Sequence, residues 1–281
     1  MDYTDIVYEN GNVTLLDVRH FNLDLTLDCG QCFRWRMLSP GDWIGIAFGK
    51  KLRANMDGDT LVLHGCTRED FELIWKNYFG LNCDYGKMTE VFMCDPVMRR
   101  ALEFAPGIRV LRQEPFETLC SFILSQNNNI KRIKGLVERL CDHFGEDSDG
   151  YRVFPTAEVL AGLSPEDLAP VRSGFRAKYI IDAAKRVHSG EISLELLYTE
   201  PVDKARETLM KIYGVGRKVA DCTLLYGFAR AECIPEDVWM KRALEQLYSG
   251  GLPEYLIPWG GIAQQTLFHY VRCCEGAVHK G

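Results

Sequence analysis

The chain has 281 residues, of which 47% are hydrophobic and 26% charged, and its formal net charge is -6. This length suffices to bury a core without disulfides, as one large domain or two smaller ones. No run of about 18 apolar residues predicts a membrane span. The N-terminal segment MDYTDIVYEN also lacks the apolar core of a secretory or transit peptide. We therefore expect a protein that works inside the cell without a membrane partner.

The pattern up to about residue 66 predicts β-strands. The segments NVTLLDV, FNLDLTL, CFRWRM, DWIGIAFG and TLVLHG alternate or favour β-branched and aromatic residues, and SPGD and MDGD supply turns between them. From TREDFELIWKNYFG onward the apolar spacing is helical. The sequence therefore predicts an α+β fold, with an N-terminal antiparallel sheet domain and flanking helices at residues 1–105 and an all-helical domain at residues 106–281.

The 11 cysteines are odd in number and irregularly spaced, which predicts reduced thiols rather than a disulfide framework. Cys29 and Cys32 form CGQC, the spacing of a redox pair or of half a zinc site. However, FRWRM follows with an alternating pattern where a redox motif should open a helix, and no second CxxC or CxxH supplies further ligands. Both interpretations are therefore weak, and we expect neither a metal nor a cofactor.

Basic residues cluster in three segments of this acidic chain. The local net charge is +3 in residues 130–139, +4 in residues 171–188 and +3 in residues 203–220. Each cluster alone fits a solvated helix face. Three of them together are also typical of a nucleic-acid-binding surface, which whole-chain charge does not exclude.

Several helices of the second half are predicted by apolar residues at three- and four-residue steps. One such stripe runs through residues 130–144 and stops at Gly145, and another runs through residues 202–212. The second stripe ends at the glycines of YGVGRKVADC (residues 213–222), after which helical spacing resumes, so a helix, a tight hairpin and a helix are predicted. Pro235 stands where helix starts favour proline, and Gly250-Gly251 predicts the end of that helix.

The two glycines of the hairpin, Gly214 and Gly216, allow two interpretations. They resemble the start of a dinucleotide-binding fingerprint, but that motif needs a preceding buried strand, whereas ARETLMKIY favours a helix. We expect instead that both glycines adopt positive φ and turn amide N–H groups toward a phosphate at the second helix. Hairpins of this kind also occur in non-catalytic DNA-binding modules, so this motif alone predicts DNA contact and not catalysis.

Lys218 lies in the first turn of the second helix, where a cation is poorly placed relative to the helix dipole. The plain interpretation is an exposed lysine that contacts a phosphate or pairs with Asp221 at i+3. The alternative is a nucleophilic amine, which must be unprotonated to attack a DNA sugar. Cys222 lies at i+4 on the same helix face, so one pocket could hold both the amine and the thiol. The local sequence leaves both interpretations open.

Five segments, CGQCFRW, SFILSQNNNIKRIKGLVERLCDHFG, GFRAKYI, YGVGRKVADC and IPEDVWM, decide between them. With these segments the chain resembles the 8-oxoguanine DNA glycosylase/AP lyase family of the helix-hairpin-helix glycosylase superfamily, over nearly its whole length. GVG followed by a lysine and a downstream aspartate is common to the superfamily, whereas NNNI together with CGQxFRW is particular to the 8-oxoguanine branch. Iron–sulfur relatives match less well, because no four-cysteine pattern follows.

The resemblance implies a base-excision repair enzyme that acts on double-stranded DNA containing 8-oxoguanine. Lys218 would attack C1′ of the flipped nucleotide, displace the oxidised base and form a Schiff base through which β-elimination cuts the strand. Asp237 would stabilise positive charge on the sugar, although a plain N-cap is the structural alternative. We expect a monomer, in the nucleoid of a prokaryote or the nucleus of a eukaryote. A glycosylase for another purine lesion and a non-catalytic DNA-binding module remain the alternative functions.

The resemblance also assigns residues to the base. The carbonyl of Gly30 would accept a hydrogen bond from N7–H, which 8-oxoguanine has and guanine lacks. Cys222 and Phe268 would sandwich the base, Gln264 would bind its Watson-Crick edge, and Pro235 belongs to the same pocket. Phe268 also fits a core position on its helix.

The remaining implied residues bind DNA. Two arginines would contact the cytosine left unpaired, Phe175 would enter the base stack as a wedge, and the hairpin glycines would bind a phosphate. The DNA-binding set is Asn127, Arg132, Phe175, Arg176, Gly214 and Gly216. Three positions depart from the family pattern, because Phe175 replaces the usual tyrosine, Glu236 adds an acid beside Asp237, and Trp239 stands where relatives can carry a phosphate-binding histidine.

Overall fold

The N-terminal part of the computed structural model is built on a six-stranded antiparallel sheet. Its strands are β1 (Asp5–Glu9), β2 (Asn12–Leu16), β3 (Trp35–Ser39), β4 (Asp42–Ala47), β5 (Lys50–Asp57) and β6 (Thr60–His64). The spatial order is β1-β2-β6-β5-β4-β3. The structure describes the backbone of residues 1–249 and 251–278, and the side chains of residues 238, 239, 242 and 274–278 lie outside the description.

The alternation of β2 and β6 places Val13, Leu15, Leu61 and Leu63 in one core with no exposed surface. A continuous helical segment packs against this core. It consists of α2 (Arg68–Asp70), a π-helical turn (Phe71–Trp75) and α3 (Lys76–Tyr78). The predicted antiparallel sheet is thus confirmed, with β1 and β5 as two strands that the pattern did not predict.

The prediction of a strand at FNLDLTL was wrong, because this segment forms helix α1 (Leu23–Asp28). Apolar residues at every second position also place Leu23 and Leu27 four residues apart, so the pattern fits either structure. The Asn22 side chain accepts a hydrogen bond from the Leu25 amide at 2.9 Å, which caps the first turn. The cap and the burial of both leucines select the helix.

Helices are the main elements of the rest of the described chain. They are α4 (Tyr85–Cys94), α5 (Pro96–Phe104), α6 (Pro115–Ser125), α7 (Ile130–Phe144), α8 (Ala157–Ala161), α9 (Ala177–His188), α10 (Val202–Met210), α11 (Arg217–Phe228), α12 (Val238–Tyr248) and α13 (Gly260–Val278). A two-stranded hairpin, β7 (Asp147–Ser148) with β8 (Tyr151–Arg152), follows α7. The α+β class and the helical second half are confirmed.

The apolar helices α6 and α11 pack together at the centre of the helical part. The helices α4 and α5 share a second apolar cluster with α12 and α13. Residues 85–104 therefore bury their apolar faces against the end of the chain, although they directly follow the sheet. The boundary proposed near residue 105 remains a prediction.

Helix ends agree only in part with the sequence signals. Helix α7 spans the predicted stripe, with Gly145 as its C-cap. The expectation that Pro235 opens a helix was wrong, since α12 begins at Val238 and Asp237 is its N-cap. The Asp237 carboxylate accepts a hydrogen bond from the Met240 amide and satisfies that end without proline. Helix α12 ends before Ser249, which has a left-handed conformation, and the predicted stop at Gly250 lies outside the described residues.

Within residues 1–249 and 251–278, no helix is long and apolar enough to cross a membrane. Ten cysteine side chains are described, and all ten are free thiols. The prediction of reduced thiols is therefore confirmed for these ten.

Candidate active site

The hairpin between α10 and α11 presents Lys218 in the first turn of α11. Gly214 has φ +80, and a Cβ atom there would lie 2.5 Å from the ring of Tyr179, so both the backbone and the close approach require glycine. Gly216 differs, with φ -98 as the N-cap of α11, and a Cβ atom there would meet no other atom within 4 Å. The expectation of positive φ is confirmed for Gly214 and wrong for Gly216, whose open surroundings leave the helix N-terminus accessible.

Lys218 does not pair with Asp221, which excludes that part of the plain interpretation. The buried Asp221 carboxylate accepts a hydrogen bond from Arg206 Nε at 2.6 Å and lies 3.6 Å from Arg217 Nε. Burial raises the pKa of Asp221, and these two arginines oppose the effect. Asp221 is thus paired with two arginines, and the half-buried Lys218 amine keeps no carboxylate partner among the described side chains.

A chain of contacts joins Lys218 to the CGQC loop (residues 29–32). The Lys218 ammonium lies 5.2 Å from the centre of the Phe122 ring, which stacks on Tyr226 at 5.3 Å. The Tyr226 hydroxyl donates to Gln265 Oε1, and Gln265 Nε2 donates to the Cys29 carbonyl at 3.2 Å. Helices α6, α11 and α13 therefore hold the amine and the loop in a fixed relation.

Cys222 and Asp237 complete the group around the amine. Burial raises the pKa of the Cys222 thiol to about 11, an effect that the Lys218 charge opposes and the Asp237 charge reinforces. The thiol therefore stays protonated at neutral pH and offers a small apolar surface. Asp237 is half-buried and holds its position by capping α12, while Glu236 is exposed to solvent. Pro235 is buried two residues earlier.

The CGQC loop is fixed by the buried Gln31 side chain. Gln31 Nε2 donates to the carbonyls of Thr26 at 2.9 Å and Arg109 at 2.7 Å, and its Oε1 accepts from the Leu111 amide at 2.8 Å. Gly30 has φ +88, which glycine adopts without strain. The loop is thereby held rigid before any ligand arrives.

The two cysteines of this loop are buried, and burial raises the pKa of Cys29 to about 12 and that of Cys32 further. A redox pair needs a thiolate of lowered pKa at the surface. The environment is therefore the opposite of the one that the redox interpretation of CGQC requires.

Helix α13 carries two predicted base contacts on one face. Gln264 is 5% exposed, and its Oε1 has no hydrogen-bond partner among the described residues, which is unusual for a buried acceptor. Phe268 follows one turn later, half-buried against the apolar cluster of α13. We call Gly30, Cys222, Gln264 and Phe268 the base pocket.

The predicted DNA-binding residues other than the hairpin glycines lie near the start of α7 and before α9. Asn127 is exposed with φ 47, Arg132 is exposed, and Phe175 is 49% exposed. Together with the exposed Gly216, we call these residues the DNA rim. The predicted departure at Trp239, where relatives can carry a phosphate-binding histidine, concerns a side chain outside the described residues.

Arg176 differs from the rest of its predicted set because it is only 4% exposed. Its guanidinium donates to the carbonyls of Gln126 at 2.9 Å and Asn127 at 3.1 Å, and it stacks on Phe175 with 4.4 Å between the guanidinium carbon and the ring centre. Burial and the nearby Arg132 lower its pKa below the usual value. In this structure Arg176 therefore holds the Asn127 loop and the wedge residue, rather than projecting from the surface.

Several residues that build the site were not predicted. Gln31 and Gln265 fix the CGQC loop by hydrogen bonds, and the Phe122 ring lies beside the Lys218 amine. Arg206 pairs with Asp221, which therefore does not pair with Lys218. Only Gln31 carried a sequence signal, as the polar residue inside CGQC. The others act through contacts between distant segments, which local spacing does not encode.

Comparison with known proteins agrees with this geometry. Residues 13–119 match the family model of the 8-oxoguanine DNA glycosylase N-terminal domain. Residues 120–252 match that of the HhH-GPD superfamily of base excision DNA repair proteins.

Two solved structures superpose on nearly the whole chain. MBOgg1, solved with a low-affinity DNA ligand, is 41% identical with a TM-score of 0.91, covering 98% of this chain and all of that one. The 8-oxoguanine glycosylase/lyase of Clostridium acetobutylicum, solved with double-stranded DNA containing cytosine opposite 8-oxoG, is 35% identical with the same TM-score and coverage.

Among curated proteins, the N-glycosylase/DNA lyase of Saccharomyces cerevisiae is 40% identical over 158 residues, which are 50% of this chain and 42% of the yeast protein. The Arabidopsis thaliana N-glycosylase/DNA lyase OGG1 is 32% identical over 77% of this chain and 64% of its own length. The matches thus span less than two thirds of these curated relatives. The two domain models and the full-length structural matches nevertheless agree, and the chain belongs to the 8-oxoguanine DNA glycosylase family.

Proposed function

We propose that the protein is a bifunctional DNA glycosylase/AP lyase that removes 8-oxoguanine from double-stranded DNA. The observation that carries the proposal is the Lys218 amine, which stands at the accessible N-terminus of α11 beside the base pocket while Arg206 and Arg217 neutralise its nearest acidic neighbour along the helix. A lysine that only contacts a phosphate would not need a base pocket beside it, and its acidic neighbour would not need to be paired with other residues.

The reaction follows from these positions. The neutral Lys218 amine attacks C1′ of a flipped nucleotide, and the bond from C1′ to the base breaks with its electron pair leaving on the base. The Asp237 carboxylate stabilises positive charge that develops on the sugar. The nitrogen now carries two protons; one goes to the departing base, and the other goes to the ring oxygen O4′ as the C1′–O4′ bond breaks and the sugar opens to a Schiff base. Removal of a C2′ proton then expels the 3′ phosphate by β-elimination.

Recognition of the lesion rests on the base pocket. The carbonyl of Gly30 accepts a hydrogen bond from N7–H, and guanine, which carries an acceptor at N7, leaves this carbonyl unpaired. Gln264 Oε1, buried without a partner among the described residues, accepts from the Watson-Crick edge of the base. Cys222 and Phe268 lie on the two faces, and Pro235 closes the pocket near Asp237.

The DNA rim holds the distorted duplex. Extruding a base costs a few kcal/mol of stacking, which Phe175 recovers by entering the stack. Asn127 and Arg132 occupy the side of the unpaired cytosine, and Arg176 supports them through the carbonyls of residues 126 and 127. The Gly216 end of α11 binds a phosphate beside Gly214. We propose that the enzyme acts as a monomer. Its substrate is genomic DNA, so it would act at the nucleoid of a prokaryote or in the nucleus of a eukaryote.

Borohydride trapping tests the chemistry directly. Duplexes with 8-oxoguanine opposite each of the four bases are incubated with the protein and borohydride, which reduces a Schiff base to a stable covalent complex. We expect trapping and strand cleavage with the wild type, neither with Lys218→Gln, and unchanged trapping with Lys204→Gln, an exposed lysine of α10 that serves as the matched control.

Two other outcomes would change the assignment. Excision of an alkylated purine in preference to 8-oxoguanine, in the same single-turnover assay, would assign another lesion. Intact DNA binding without chemistry, with Lys218→Gln only lowering the salt slope by about one unit, would indicate a non-catalytic DNA-binding module.

A further inference from the structure

Arg272 lies on the same face of α13 as Gln264 and Phe268. The three residues follow one another at intervals of four, so their side chains stand on successive turns of the helix. The stripe spans about 12 Å along the axis, at about 1.5 Å per residue, which exceeds the length of a purine. The helix face that meets the base thus begins with an amide, continues with an aromatic ring and ends with a guanidinium.

Two distances place the guanidinium of Arg272 near members of the base pocket. A Cβ atom on Gly30 would lie 3.8 Å from Arg272 Nη1, and the guanidinium carbon of Arg272 is 5.8 Å from the centre of the Phe268 ring. The guanidinium therefore lies close both to Gly30 and to the Phe268 ring. Its charge also contributes, after burial, to lowering the pKa of the neighbouring His269.

The proposed base orientation determines which edge Arg272 meets. Gln264 faces the Watson-Crick edge, and the Gly30 carbonyl faces N7–H. The C8 carbonyl is bonded next to N7–H on the edge away from Gln264. A guanidinium beside Gly30, two turns along the helix from Gln264, therefore faces the oxygen at C8.

We propose that Arg272 is a specificity-determining residue that donates a hydrogen bond to O8 of the oxidised base. This inference rests on the proposed function and deepens it. Gly30 and Arg272 together present an acceptor and a donor to the adjacent N7–H and C8=O8 groups, the two features that oxidation adds to guanine. Guanine has a C–H at this position, so the cationic donor loses its water without gaining a partner.

A cycle that changes both the protein and the base tests the contact. Excision rates under single-turnover conditions are measured for wild type and Arg272→Met on duplexes carrying 8-oxoguanine or 8-thioguanine opposite cytosine. Both bases carry N7–H, but sulfur is a much weaker acceptor than oxygen. We expect the wild type to excise 8-oxoguanine about 10 to 100 times faster than 8-thioguanine, the range of a hydrogen bond to a charged donor. Arg272→Met should reduce this ratio to about threefold or less.

Two controls keep this outcome specific. Arg36→Met removes an exposed arginine from β3 and should leave the ratio at the wild-type value. Arg272→Lys, which keeps the charge and a donor, should restore part of the preference. An equal loss on both bases in Arg272→Met, or no loss on 8-oxoguanine, would overturn the role of Arg272 while leaving the glycosylase assignment intact. A wild type that excises neither base would instead refute the proposed function, and the inference with it.

Discussion

The base pocket and the DNA rim differ in how their residues are held. The residues of the base pocket are buried or half-buried, and hydrogen bonds from Gln31 and Gln265 fix the CGQC loop that carries Gly30. The DNA rim is exposed at Asn127, Arg132 and Phe175. Discrimination between two bases that differ by a few atoms requires groups positioned before binding. Contact with a duplex backbone requires exposed groups that gain partners only when DNA arrives.

Arg176 belongs to neither class, and its position shows how the two regions are connected. It is buried like the base pocket, yet it bonds the carbonyls of Gln126 and Asn127 and stacks on Phe175. The exposed rim is therefore supported by one buried cation. The same division of buried support and exposed contact leads to three further predictions.

The largest effect is expected at Asp237, whose carboxylate caps α12 and would also serve in the proposed catalysis. Asparagine caps a helix about as well as aspartate but carries no charge to stabilise the sugar. Asp237→Asn should therefore lower the single-turnover excision rate about 100-fold or more and leave thermal unfolding nearly unchanged. Asp237→Ala should lose both the rate and about 1 kcal/mol of stability. Excision by Asp237→Asn within about threefold of wild type would show that the carboxylate is only a cap.

The second prediction concerns Glu117, whose carboxylate lies 3.7 Å from the guanidinium of Arg34, two residues after the CGQC loop. Burial raises its pKa to about 7, from an ordinary 4.5. The folded state thus binds the proton of the Glu117 carboxyl group more tightly than the unfolded state does. The stability that this protonation contributes is fully present below about pH 4.5 and is lost as the pH rises to about 7.

Glu117→Gln cannot lose this proton, so its stability should fall less with rising pH. Relative to wild type, its free energy of unfolding should increase by about 2 to 3 kcal/mol between about pH 4 and pH 8, measured by urea titration. The exposed Glu158→Gln provides the control and should show no such trend. Parallel curves for Glu117→Gln and wild type would contradict the raised pKa.

The smallest effects are expected at the two hairpin glycines, and they separate folding from DNA binding. Gly214→Ala places a methyl group 2.5 Å from the Tyr179 ring at positive φ and should cost about 1 to 3 kcal/mol of stability. Gly216→Ala meets no atom within 4 Å, so stability should stay within about 0.5 kcal/mol. Its affinity for duplex DNA should nevertheless fall by about threefold or more, because the methyl group obstructs the helix N-terminus. Equal effects of both variants on stability would contradict this division.

The sequence predicted the sheet, the helical second half and the hairpin because each has a local signal. Alternation and turn residues mark the strands, and three- and four-residue spacing marks α7, α10 and α11. The segment FNLDLTL was mispredicted because its pattern satisfies both periods, and only the Asn22 cap and the burial of the leucines select a helix. The glycine motif likewise predicted a tight turn, but only the backbone shows that Gly214 and not Gly216 requires positive φ.

By itself, the sequence determined most of the elements and, through the order of its motifs, the family, and it predicted which residues would act. The tertiary structure decided the environment of those residues. It removed Asp221 from Lys218 by pairing it with Arg206, turned Arg176 inward, and brought Arg272 to the Gly30 backbone. Such environments depend on contacts between segments far apart in the chain, and burial and charge in those contacts set chemical behaviour. The spacing of residues along the chain does not predict these long-range contacts.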